Sequence, residues 1–227
     1  ITFSSDLVFG GEQRSAYLES NKVQPLNQYG RSKAEAERRV LERMPDALVV
    51  RTGAFFGPWD TYNFVTLALG TLARGERFAA VNDVVVSPTY VPDLVHTCLD
   101  LLLDEASGVW HLTNAGEVTW AELATQAARV AGLNPSHVEA RPLESFGWAA
   151  PRPRYSALAS ERAQLMPPLT QALERYLMDD ENKPARKPAG GGRAACAVCG
   201  GTVNESHGDG RCGLHRERGD GGVAAGG

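Results

Sequence analysis

Apolar runs with strand character fall near residues 1–9, 47–52, 77–81, 108–113 and 137–141. Stretches with apolar side chains three and four residues apart fall near 28–43, 61–74, 91–104, 119–131 and 169–178. Strand patterns therefore alternate with helical ones, which predicts an α/β architecture. Punctuation agrees with these bounds. Thr119 and Glu122 form a Thr-x-x-Glu capping pattern ahead of one helical stretch, and Pro45 follows another. In 91–104, Leu94, Val95, Cys98, Leu101 and Leu102 form a stripe that predicts a core-facing side, with Cys98 a buried, inert thiol.

The pattern fades near residue 182. Of the 24 glycines in the chain, 13 lie in 182–227, and no aromatic follows Tyr176. Such a segment buries too little apolar surface to offset its conformational entropy, so it is expected to be disordered unless a ligand staples it. The expected division is a folded unit over 1–181 and a tail over 182–227.

Composition narrows the function classes. Apolar residues make up 43% and charged residues 22%, ordinary values for a globular protein. The net charge of −4 argues against a nucleic-acid partner. No apolar run approaches the roughly 18 residues of a membrane span, so no membrane partner is expected and a cytoplasmic setting is the default.

The candidate chemistry centres on Tyr29 and Lys33, four residues apart in Tyr29-Gly30-Arg31-Ser32-Lys33. On a helix this spacing puts a phenol and an ammonium on one face, one turn apart. A nearby cation favours the phenolate and so eases proton transfer from a phenol. Ser5 lies 24 residues earlier and offers a hydroxyl for a substrate carbonyl. The trio suits hydride transfer to a ketone, whose oxygen gains negative charge and takes a proton. The same spacing also arises in helices where the tyrosine only stacks along the lysine stem. His96 and His111 sit in apolar-periodic surroundings without ligand partners at metal spacing and read as structural. Arg51, at a strand end, suits either a phosphate contact or a local ion pair.

The flanks carry a resemblance. Thr2-Phe3-Ser4-Ser5-Asp6-Leu7-Val8-Phe9-Gly10 and Pro25-Leu26-Asn27-Gln28-Tyr29-Gly30-Arg31-Ser32-Lys33 together resemble the extended short-chain dehydrogenase/reductases, and among them the dTDP-4-dehydrorhamnose reductase family. Val49-Val50-Arg51-Thr52, Asn63-Phe64-Val65, Ser87-Pro88-Thr89, Asp93-Leu94, Trp110-His111-Leu112-Thr113, Trp120-Ala121-Glu122-Leu123 and Arg152-Pro153-Arg154-Tyr155-Ser156 follow in the family's order, over roughly residues 1–178. The resemblance implies the carboxyl-terminal part of a Rossmann fold: a partial parallel sheet with a substrate-binding subdomain. It implies NADPH or NADH as cofactor and a nucleotide-linked 4-keto sugar as substrate, and it leaves a homo-oligomer open. Tyr29 would donate a proton to the sugar C4 oxygen. Lys33 would tune Tyr29 and, with it, hold the cofactor. Ser5 would complete the catalytic set, and Asp6 and Asn63 would contact substrate. Ala54 stands where the family's reductases carry a tryptophan, a departure that enlarges the sugar pocket.

Two other readings stay open. One is a sugar-nucleotide-binding module without turnover, favoured by Ala54 in place of the tryptophan; Phe55-Phe56-Gly57-Pro58-Trp59-Asp60 and Val84-Val85-Val86-Ser87-Pro88-Thr89 also resemble reductase-like modules fused to glycosidase-like domains. The other is a related epimerase or dehydratase.

No Gly-x-Gly-x-x-Gly pattern follows a strand. Gly10-Gly11 leads into Glu12 and Arg14, and Gly190-Gly191-Gly192 follows no strand. The glycine-rich turn that receives a dinucleotide pyrophosphate is thus missing. The expectation is a piece of a longer protein, with the first half of the Rossmann sheet preceding Ile1. In the tail, Cys196-x2-Cys199 and Cys212-x2-His215, 12 residues apart, resemble a small Cys3His zinc site. The alternative is sequence read past the true end of the gene, with no metal role.

Overall fold

The computed structural model describes residues 1–178 and a two-residue antiparallel strand pair, Ala195–Cys196 with Gly201–Thr202. The zinc candidates Cys199, Cys212 and His215, and the side chain of Cys196, lie outside the described residues.

Two structural regions share the chain. The first is a parallel sheet in the order β1 (Thr2–Ser5), β2 (Leu48–Thr52) and β7 (Gly108–His111). The crossovers are α1 (Gln28–Arg43) between β1 and β2, and later α3 (Val91–Leu103) before β7. All five residues of β2 are buried, as expected of the central strand of a parallel sheet covered on both faces. β1 pairs only with β2 among the described residues, so its outer edge is open there.

The second region contains α2 (Phe64–Ala73), α4 (Trp120–Val130) and α5 (Leu169–Met178). With them lies a parallel pair, β4 (Phe78–Val81) with β9 (Val138–Arg141). Their core is continuous. Leu69, Leu72, Phe78, Leu123, Ala124, Ala172, Leu173 and Tyr176 are all buried in one cluster. Its aromatics meet edge-on or tilted: Phe64 lies 5.4 Å from Phe78, and Phe56 lies 5.7 Å from Tyr176. The capping box at α4 forms as its sequence predicts, with Thr119 and Glu122 satisfying each other's backbone N–H groups. Two short two-residue pairings complete the described fold: β3 (Phe55–Phe56) with β6 (Thr89–Tyr90), and β5 (Val85–Val86) with β8 (Val118–Thr119).

The structure corrects several expectations. The first strand ends at Ser5, because the Ser5 side chain accepts the Leu7 N–H and starts a single 3-10 turn over Asp6–Val8. The strand patterns at 77–81 and 137–141 pair with each other and not with the main sheet. The stripe on α3 splits. Leu94, Cys98 and Leu101 pack on Leu48 and Val50, whereas Val95 and Leu102 turn outward beside Leu99 and Leu103. Burial pushes the Cys98 thiol up to about 11, in keeping with an unreactive side chain. Among the described residues no helix is long and apolar enough to cross a membrane.

Candidate active site

The site forms where the carboxyl end of β1 meets the amino end of α1, the position at which open parallel sheets bind ligands. One residue permits the meeting. Gly30 is buried in the first turn of α1, and a Cβ there would lie 2.1 Å from the Leu7 carbonyl oxygen. A glycine in a helix costs about 1 kcal/mol relative to alanine. Here it lets the helix backbone rest on the turn that follows Ser5. Asn27 caps the helix, its Oδ1 accepting the Gly30 N–H at 2.8 Å. Its Nδ2 donates to the Pro151 carbonyl at 3.1 Å and so ties the late loop to the same point.

From there α1 runs back along β1. Lys33 Nζ donates to the Phe3 carbonyl at 3.2 Å and lies 5.7 Å from the centre of the Tyr29 ring. Tyr29 is 52% exposed, so its hydroxyl is open to a ligand. The paired phenol and ammonium predicted by their spacing are thus on one face of one helix.

A buried ion pair anchors that helix. Arg51 on β2 grips Glu37 on α1 through two bonds, Nε to Oε1 at 2.9 Å and Nη2 to Oε2 at 2.7 Å. Of the two readings left open for Arg51, the local ion pair is the one observed. His111 on β7 stands behind it. Its Nδ1 faces the carbonyls of Tyr17 and Ala159 at 3.0 and 2.9 Å, so that nitrogen carries the proton, and Nε2 accepts from Arg51 Nη1 at 3.4 Å. Burial foremost, with the Arg51 charge, pushes the imidazole pKa down. His111 is a neutral packing residue. His96 is exposed, and no group of three or more metal-ligating side chains occurs among the described residues.

Asp6, expected beside the sugar, is 8% exposed, and Ser5 before it 6%. Ser5 Oγ donates to its Oδ1 at 2.9 Å, and Ser156 Oγ in the late loop donates to its Oδ2 at 2.7 Å. Burial, the largest influence, raises its pKa above the ordinary carboxylate value. Gly53 makes room for this carboxyl, since a Cβ there would lie 2.5 Å from Oδ1.

The next residue, Ala54, has φ of 47° and packs with Trp148 against Val81, Val84 and Val86. The Arg152 guanidinium lies 4.4 Å from the Trp148 ring centre. An indole from the late loop and the Ala54 methyl thus share one small apolar cluster. Asn63, expected against substrate, caps α2: its Oδ1 accepts the Thr66 N–H at 3.0 Å, and its Nδ2 donates to the Asp60 carbonyl at 2.6 Å. That amide is already committed to the turn before the helix.

Ser5 and Asp6 thus end β1 where the turn after them meets the start of α1, the helix of Tyr29 and Lys33; Asp6 lies against Gly53, next to Ala54, and Asn63 belongs to a helix cap. The sequence reading missed the links Asp6–Ser156 and Arg51–Glu37. Only the glycine inside Tyr-Gly-Arg-Ser-Lys, costly in a helix, signalled a close approach there.

Residues 1–180 match the model of the RmlD substrate binding domain. A dTDP-4-keto-6-deoxy-D-glucose reductase of Streptomyces niveus is 35% identical over 162 residues, 71% of this chain and 56% of that protein. A dTDP-4-dehydrorhamnose reductase of Mycolicibacterium smegmatis is 34% identical over 72% of this chain and 50% of its own length. The solved structure of a dTDP-4-dehydrorhamnose reductase from Bacillus anthracis in complex with NADP superposes with a TM-score of 0.72 at 32% identity, covering 78% of this chain and 64% of that one. The chain spans about half the length of the curated relatives it matches. It has their α/β Rossmann-like fold, and it belongs to the RmlD substrate binding domain family.

Proposed function

We propose that the chain is the substrate-binding and catalytic part of an NADPH-dependent reductase of nucleotide-linked 4-keto sugars, most simply dTDP-4-dehydrorhamnose. The observation that carries this reading is the Gly30–Leu7 contact, which sets the start of α1, with its Tyr29–Lys33 pair, against the turn that follows Ser5. The names of the relatives, reductases of dTDP-linked keto sugars, support it.

The described residues fit one end of the cofactor. Lys33 spends one of its three N–H donors on Phe3, which leaves donors for a ribose hydroxyl next to the open Tyr29 phenol. No strand among the described residues runs through a glycine-rich turn into a helix, so nothing here would receive the pyrophosphate. When bound, NADPH supplies the hydride. Tyr29 gives its proton to the sugar C4 oxygen as that oxygen gains charge. Lys33 stabilises the phenolate that remains. Ser5 holds the same oxygen from the other side, and the Arg51–Glu37 pair keeps the helix in register.

The test uses the full-length gene product with NADPH and a panel of 4-keto sugar nucleotides. Tyr29→Phe should lower turnover by about 10²–10⁴-fold, the usual worth of a positioned proton donor, while NADPH still binds. Turnover retained in Tyr29→Phe would sink the assignment. An altered sugar without net cofactor consumption would point to an epimerase.

A further inference from the structure

The Ser5 hydroxyl has one proton and two lone pairs, and the fold commits most of them. Oγ accepts the Leu7 N–H at 3.2 Å and gives its proton to Asp6 Oδ1 at 2.9 Å. In that state one lone pair remains. Ser5 can then accept a bond from an alcohol, but it has no proton to offer a carbonyl oxygen. The proposed reduction needs the opposite, a donor aimed at an oxygen that gains negative charge.

One protonation state resolves the conflict. If Asp6 carries a proton, its O–H donates to Ser5 Oγ. Both lone pairs of Ser5 are then filled, by Leu7 N–H and by Asp6 O–H, and its own proton is released toward the substrate. The surroundings of Asp6 allow this. Its oxygens meet Ser5 and Ser156, two hydroxyls that can reverse direction, and it is wedged against the Gly53 backbone out of water. Burial outweighs the hydrogen bonds that favour the charged form. The titratable and charged groups on the elements packed around it are Tyr29 and Lys33 on α1, Arg51 with Glu37 behind β2, and Arg152, Arg154 and Tyr155 on the late loop.

We infer that Asp6 is a positioning residue whose protonated carboxyl frees the Ser5 hydroxyl to donate to the carbonyl oxygen of the substrate. No proton leaves Asp6 in the cycle; Tyr29 supplies the one the product keeps. The inference rests on the reduction proposed above.

Two measurements test it. In the full-length gene product, kcat/KM for reduction should fall about tenfold per pH unit above the Asp6 titration. Asp6→Asn, whose amide N–H donates to Ser5 at every pH, should erase that limb and restore what Asp6→Ala loses. A falling limb that is the same in Asp6→Asn as in the wild type would overturn the inference. The second measurement needs no turnover. A carboxyl ¹³C titration of the 227-residue chain should place Asp6 above the ordinary aspartate range, and Ser156→Ala should move it higher still. Titration in the ordinary range or below it overturns the inference, even if the keto sugar proves to be the wrong substrate. Absence of any reduction by the wild type counts against the function and leaves the titration to decide this point.

Discussion

The two regions of the molecule are held together by different forces. The α2, α4 and α5 lobe is joined by apolar packing, with Leu173, Ala172, Ala124 and Tyr176 fully buried in one cluster. The helix that carries Tyr29 and Lys33 has almost no such packing. Its fully buried residues are Gly30 and Glu37, one a contact of backbone on backbone and the other half of an ion pair. Apolar packing tolerates small shifts, whereas a bidentate Arg–carboxylate fork fixes distance and angle. The helix of Tyr29 and Lys33 is thus placed by polar geometry, while the lobe supplies bulk stability.

The largest expected effect comes from cutting that fork. Arg51→Leu leaves the Glu37 carboxylate buried without its partner, which should cost about 3–5 kcal/mol in denaturant unfolding. Adding Glu37→Leu should recover most of the stability, because an apolar pair of similar volume replaces a desolvated one. Stability should return without activity, since α1 no longer has its register. If the double variant were as active as the wild type, the claim that the fork places Tyr29 and Lys33 would be wrong.

A smaller effect contrasts apolar sites in the two regions. Leu173→Ala, in the middle of the lobe, should cost about 2–5 kcal/mol through lost burial and the cavity left behind. Leu99→Ala on α3, where the side chain is 53% exposed, should cost well under about 1 kcal/mol in this chain. Equal losses at the two positions would mean that α3 is covered by something else in solution.

Much of the fold was legible because its signals are local. The helix over 28–43 has the predicted bounds, and the capping box at Thr119 is a two-residue pattern that needs no tertiary knowledge. The Tyr29/Lys33 pair was legible for the same reason, since helical spacing alone brings the two together. What the sequence hid are contacts between distant segments. Ser156 meets Asp6 across 150 residues, so the residue expected to contact sugar has its carboxyl buried between two serine hydroxyls. The outward turn of Val95 and Leu102 was hidden too, because α3 carries more apolar side chains than one inward face can hold. Asn63 was ambiguous for a related reason: an asparagine ahead of a helix suits capping as well as ligand contact, and the bonds to Asp60 and Thr66 show the capping role.

The central claim is that Tyr29, Lys33 and Ser5 form the reductive site for a sugar carbonyl at C4. The most direct measurement follows a label. The full-length gene product is given a dTDP-linked 4-keto sugar and NADPH deuterated at the transferring position of the nicotinamide, and the product is read by mass and NMR. The account predicts one deuterium on the sugar C4 in the wild type and loss of that incorporation in Tyr29→Phe. Deuterium at another carbon, no incorporation by the wild type, or undiminished incorporation by Tyr29→Phe would contradict it.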